Sequence, residues 1–390
     1  MLLAIPVSLI SLALIVILRP LIKIRIGFLR CDRLGHFGAN TELYLCEREK
    51  NNLNTLDLFY YPRKVCNRQL ATMWARKVIV LPWFFLRPLD LIIRSFAPLK
   101  AFHANEGTGG DRDIYNLLDQ SPAHLEFTRE EEVRGQAGLR ALGIMNNEPF
   151  VCITVRDSAY LASLYQGADT SAHNFRDSNI QNVVLAAEAL ADRGYYVVRM
   201  GAKVRSPIAS SNPKVIDYAT NGSRSDFMDI YLGAKCEFCI STSTGFDAVP
   251  LVFRRPIVYI NMVHIGWLFT FSQRFLAISK HHFSVNLNRE LTLSEIFSHE
   301  VGFSLNSADF KAKGIELIEN TPEEIRDVVI EMAERQKGTW QTCAEDEALQ
   351  RKFWEIFPTD AVNAQGIPFH GEIRSRFGAD FLRKNLWWLS

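Results

Sequence analysis

The chain predicts an α/β fold of two Rossmann-like halves facing a cleft, and three observations predict it. Short apolar runs alternate with helical segments over nearly the whole length, the pattern of strand–helix–strand units with a parallel sheet. A polar stretch over 103–135 interrupts that alternation once, and 390 residues leave room for two domains of ordinary size. A hydroxyl-rich turn then follows a strand of the second half, at the sheet end where open α/β folds bind ligands.

Composition narrows the class. Apolar residues make up 48% and charged ones 22%, which is globular. Lys plus Arg number 44 against 43 Asp plus Glu, so no overall basic excess points to nucleic acid. The seven Cys are scattered, at 31, 46, 66, 152, 236, 239 and 343. Cys236 and Cys239 look like half a zinc site, but a strand turns residues three apart to opposite faces. No second pair or histidine lies at zinc spacing, so reduced thiols and no metal are expected.

Residues 1–18 carry no charged side chain and just reach the length of a spanning helix. Arg19, Lys23, Arg25 and Arg30 follow, with no cleavage site before them. This predicts a transmembrane anchor over 1–20, with the rest of the chain on the cytoplasmic side of the inner membrane. Pro6 and the marginal length leave a shallow insertion open. Ile22–Arg30 reads as the first strand, Gly35 and Gly38 as a turn, and a helix is expected from Asn40 or Thr41. Leu56–Tyr61 and Val78–Leu81 complete the strands of the first half, 21–145. Residues 83–98 mix bulky aromatics with Arg87 and Arg94, suiting either a core helix or a face at a membrane interface.

The second half, 149–345, begins with a strand over Phe150–Val155 that ends in Arg156 and Asp157. A loop over Ser158–Asp177 carries Asp169, Ser171, His173 and Arg176. Helix Ile180–Arg193, strands Tyr195–Met200 and Val215–Tyr218, helix Asp226–Ala234 and strands Cys236–Ile240 and Ile257–Ile260 follow. Pro322–Lys337 is a helix with Thr321 as N-cap and Glu324 as its capping-box partner. The basic and aromatic tail, 346–390, is expected to pack back on the first half or to face the membrane.

Between the last two strands of that series, Ser241, Thr242, Ser243, Thr244 and Gly245 offer four hydroxyls and a flexible backbone. Free N–H groups at the next helix start would suit a phosphate, whereas a plain capping cluster would only satisfy helix donors. No Walker A motif, G-x-G-x-x-G or G-x-S-x-G occurs, which argues against P-loop kinases, NAD enzymes and serine hydrolases.

Two Rossmann-like halves with arginines and a hydroxyl turn at strand ends suggest a nucleotide-sugar site. The segments RLGHFGANTELYL (33–45), VRDSAYL (155–161), GYYVVRMG (194–201), SDFMDIYLGAKCEFCISTSTG (225–245) and FRRPIVYIN (253–261) resemble a family of bacterial glycosyltransferases associated with surface polysaccharide synthesis. The resemblance covers most of 22–390 and implies the GT-B fold, a nucleotide-sugar donor and a lipid-linked or saccharide acceptor. More distantly, Arg156 matches the arginine with which GT-B fucosyltransferases hold the nucleotide diphosphate, and Arg199 does so loosely. Where many GT-B enzymes place a ribose-binding glutamate after the donor turn, this chain has only Asp247. The donor residues so implied are Arg156, Arg199, Ser241 to Gly245 and His173, with arginines in place of a metal and no cofactor. The base is expected across the cleft: His36, with Asp32 as its orienter or rival. A nucleotide-sugar epimerase or hydrolase of the same fold, and a non-catalytic scaffold for polysaccharide assembly, stay open as alternatives.

Overall fold

The computed structural model describes residues 4–104, 112–145, 148–164, 169 and 171–390. Residues 107–111 of the glycine-rich stretch and part of the 158–177 loop lie outside these.

Helix α1 (Ala4–Leu18) leads into a small parallel sheet of β1 (Lys23–Phe28), β2 (Thr55–Tyr60) and β3 (Ile79–Val80), in that order. Between them run α2 (Leu34–Lys50) and α3 (Arg68–Trp74), and α4 (Trp83–Ser95) follows. The second half has β4 (Phe150–Thr154), β5 (Tyr196–Arg199), β6 (Val215–Ile216), β7 (Cys239–Ser241), β8 (Ile257–Met262) and β9 (Phe275–Ser279). An antiparallel trio, β10 (His281–Ser284), β11 (Arg289–Glu290) and β12 (Ile315–Ile318), stands beside them, and β13 (Arg376–Phe377) comes last. The main sheet is all parallel, in the order β13-β9-β8-β7-β4-β5-β6. Its central strands are apolar and buried throughout, as a parallel sheet covered on both faces requires.

That order has a consequence for function. The chain runs from β4 out to β5 and β6, then crosses back to place β7 on the other side of β4. The carboxyl ends of β4 and β7 therefore flank a topological switch point, where open α/β sheets leave a crevice.

Two expectations are corrected, and a third gains no support. Helix α2 begins at Leu34, six residues before Asn40, so Gly35 and Gly38 lie inside its first turns. Neither has a positive φ; what they permit is close approach. A Cβ on Gly35 would stand 3.3 Å from the Cα of Gly245, and one on Gly38 3.2 Å from the Cβ of Ala248. The tail packs chiefly on the second half, where β13 pairs with β9 and Phe353, Phe377, Phe381 and Trp388 stack together within the main core. Its 369–374 segment meets the first half, at Arg112, Asn116 and Asp119. As for the anchor, no helix among the described residues is long and apolar enough to cross a membrane. The described part of α1 is fifteen residues long, and residues 1–3 lie outside the described residues. Its Ile15 joins Leu86, Leu89 and Ile93 of α4 in a small core of their own.

The two halves share their interior. Helix α2 contributes Ala39, Leu43 and Cys46 to the main core. Ile230, Val249 and Val252 of the second half pack with Phe37, Trp74 and Leu29 of the first. Asn67 caps α3 and also donates to the carbonyl of Asp226 (2.9 Å), while the Arg68 N–H donates to that residue's carboxylate (2.8 Å).

Three buried histidines make the fold sensitive to acid. Burial drives the imidazoles of His264, His282 and His370 down to about 3, about 4 and about 4, from an ordinary 6.5. Their folded pKa values lie below the unfolded ones, so each stabilises fully above 6.5 and loses that contribution as pH falls towards 4. The slope is up to about 1.4 kcal/mol per pH unit for each ring. His124 and His281, both raised, oppose this slope near pH 6.5, and Asp229, which burial raises to about 6, opposes it between 6 and 4. The denaturant midpoint is expected to fall between pH 6.5 and 4, by less than three rings alone would give; a midpoint that rises over this window would count against neutral, buried rings.

Candidate functional site

The switch point is built from hydroxyls and backbone. Thr154, ending β4, pairs in register with Ser241, ending β7. Beyond them the Arg156 N–H donates to Thr242 Oγ1 (2.8 Å), and the hydroxyls of Thr154 and Thr244 meet at 3.0 Å. Ser241 Oγ donates to Asp247 Oδ2 (2.9 Å) and accepts from the Thr244 N–H (3.3 Å); Thr244 Oγ1 in turn accepts from the Phe246 N–H (3.3 Å). Three of the four expected phosphate ligands thus hold the turn together, and Asp247 is buried against Ser241 rather than set for a ribose. Ser243 takes a left-handed φ of 59°, a conformation non-glycine residues adopt only under local constraint. Its carbonyl accepts from Arg176 Nη2 at 2.5 Å. Gly245 is exposed, against Gly35 of the first half.

Cations converge on this turn. Arg156 is largely buried; its Nε lies 3.6 Å from Asp177 Oδ1 and makes no hydrogen bond among the described residues. Burial lowers the Arg156 guanidinium, Asp177 opposes that, and the charge of Arg33 adds to it. Asp177 is raised, again by burial first, against the pull of Arg156, Arg205 and Lys280. Both partners move towards neutrality, as expected of a buried pair held too loosely to offset its desolvation. His173 is lowered by burial and then by Arg156, Arg176 and Arg33. These shifts place Arg33, Arg156, Arg176 and His173 in one electrostatic neighbourhood. Buried Lys280 fixes the segment that carries two of them, donating to the carbonyls of Asp177 (2.6 Å) and Phe175 (3.3 Å).

Other expected residues fall differently. Arg199 is 1% exposed; its Nη1 donates to Asp217 at 3.1 Å, and its Nε is buried without a partner among the described residues. Asp32 is held by Arg63 (3.0 Å), not by His36. His36 sits in the first turn of α2, directly after Gly35, and its Nδ1 is buried without a hydrogen-bond partner among the described residues. Arg33 and Arg176 were not singled out from the sequence. Their signal was there: one precedes the Gly-flanked histidine, the other closes the loop after β4, and both elements meet at the switch point.

Among the described residues, Glu42, Cys46 and His124 could together hold a metal ion, their ligand atoms lying within 4.8 Å of one another. A cation already serves them. Arg254 Nη2 donates to Glu42 Oε1 at 2.6 Å and stands 3.6 Å from Cys46 Sγ, while His124 Nδ1 lies 3.1 Å from that same carboxylate oxygen. Despite burial, Cys46 and Glu42 push His124 up to about 10. The group reads as a charge bridge from α2 to the second half.

No family model matches the chain, and no curated protein matches it. Among solved structures it is similar to a family 9 glycosyl transferase from Veillonella parvula DSM 2008, at 12% identity and a TM-score of 0.45, over 81% of this chain and 97% of that one. It is also similar to ADP-heptose LPS heptosyltransferase II of E. coli, at 13% identity and a TM-score of 0.36, over 60% of this chain and 84% of that one. The iron-containing dodecameric glycosyltransferase TibC of enterotoxigenic E. coli H10407 follows at 12% and 0.32, over 62% of this chain and 58% of that one. With TM-scores below 0.5, these likenesses carry no weight for the chemistry of this chain.

Proposed function

We propose that this protein is a glycosyltransferase that moves a sugar from a nucleotide diphosphate donor to a surface-polysaccharide or lipid-linked saccharide acceptor. One observation carries the reading: Arg33, Arg156, Arg176 and His173 gather beside the turn that follows β7, at the switch point of a parallel sheet. Three arginines with one loosely held carboxylate suit a diphosphate, whose charge they would neutralise as it leaves, with the lowered His173 beside them as a neutral ring. Arginine does this without a metal, so a chelator is expected to leave donor binding intact. His36, across the junction at Gly35 and Gly245, is the group we assign to take the acceptor proton. We place the reaction at the cytoplasmic face of the inner membrane, where the cations of residues 19–30, following the apolar first stretch, would meet anionic headgroups.

The test is donor binding. A panel of nucleotide-diphosphate sugars is screened for a rise in melting temperature, since a ligand of the folded state alone must stabilise it. Arg156→Ala is expected to weaken binding of the selected donor by about 1.5–3 kcal/mol, the size of a charge-assisted hydrogen bond. Unchanged affinity in a folded variant removes Arg156 from the site. No binding by any donor favours the scaffold reading, and donor hydrolysis without an acceptor favours the hydrolase.

A further inference from the structure

We infer that α1 and α4 form one docking surface for the interfacial zone of a bilayer rich in anionic lipid, with α1 lying along the membrane instead of through it. The two helices pack on each other through Ile15, Leu86, Leu89 and Ile93. Their outer faces remain apolar: Ile10, Ile17 and Leu21 in and just after α1, and Trp83, Phe84 and Phe85 at the start of α4, are each more than half exposed. Tryptophan beside phenylalanine is the composition of the headgroup boundary.

Charge selects the occupant. Residues 4–31 contain no Asp or Glu, and 82–104 contain only Asp90, which is fully buried under Tyr60, Arg94 and His103. Exposed cations rim the face: Arg19, Lys23, Arg87, Arg94 and Lys100. Three of them are held over rings: Arg19 at 5.8 Å from Phe102, Arg87 at 5.8 Å from Trp83 and Arg94 at 5.3 Å from Phe28. A second copy docking by two-fold symmetry would set this cationic rim against itself. Anionic headgroups complement it.

The experiment is flotation of the full chain with phosphatidylcholine vesicles, with and without phosphatidylglycerol. Binding is expected only with phosphatidylglycerol, with release in high salt. The triple variant Trp83→Ser, Phe84→Ser, Phe85→Ser is expected to bind at least about tenfold more weakly. Its melting temperature should be unchanged, because the three rings support no core. Failure to float, or equal binding by the triple variant, overturns the proposal. So does retention on vesicles in high salt, which marks a spanning helix, or a concentration-dependent dimer that the triple variant abolishes. None of these outcomes reads the transfer reaction, so they leave the donor site untouched.

Discussion

His36→Ala is expected to lower turnover by about two to four powers of ten, the usual scale of general base catalysis. The imidazole lies on the first-half side of the Gly35–Gly245 contact, and its Nδ1 has no partner among the described residues to divert it. Donor affinity should barely move, since the cations that would hold the diphosphate are Arg156, Arg176 and Arg33. The effect therefore belongs in kcat. Asp32→Asn separates two mechanisms. Asp32 is bound to Arg63, so its replacement should cost little. If Asp32→Asn proves the deeper loss, that carboxylate is the base and His36 shapes the turn. If both variants keep near-normal rates, His173 is the next residue to test.

The largest stability effect is expected at Arg254. Its guanidinium donates to the carbonyls of Ser121 (3.1 Å), Pro122 (2.9 Å) and Val252 (2.6 Å) as well as to the wholly buried Glu42. Arg254→Met would leave that carboxylate with His124 alone and strand three acceptors. Breaking a buried pair from one side costs about 3–5 kcal/mol, because the remaining charge stays desolvated. Denaturant unfolding should show the loss. Arg254→Lys, with a point charge in place of a fork, should fall in between. Adding Glu42→Gln to Arg254→Met should recover part of the loss by removing the stranded charge. If the double variant is less stable than Arg254→Met alone, the carboxylate was not the source of the cost.

What could be read from the sequence was whatever is decided within a few residues. The helix over Pro322–Lys337 carries its own capping box and Gly338 in a left-handed cap, and the structure reproduces both of its ends. Parallel strands announced themselves as buried apolar runs. Gly35 and Gly38 misled because local turn chemistry and close helix packing call for the same residue. Only the distant Gly245 and Ala248 reveal which applies. The tail was misplaced for a related reason: Phe353, Phe377 and Trp388 say that a core exists, not which sheet supplies it. At the candidate site the turn was visible and its function was not. Its hydroxyls bind one another, and the cation cluster forms only when the start of α2 reaches the ends of β4 and β7.

Helix α2 also bears on how the molecule comes apart. It lends side chains to both large cores, and at Gly35 and Gly38 it leaves no room for a side chain against Gly245 and Ala248 of the other half. Neither half retains a complete interior once the other is removed. The chain should therefore melt in a single calorimetric transition, not as two lobes in succession, and a separately expressed half should be insoluble for want of its missing wall.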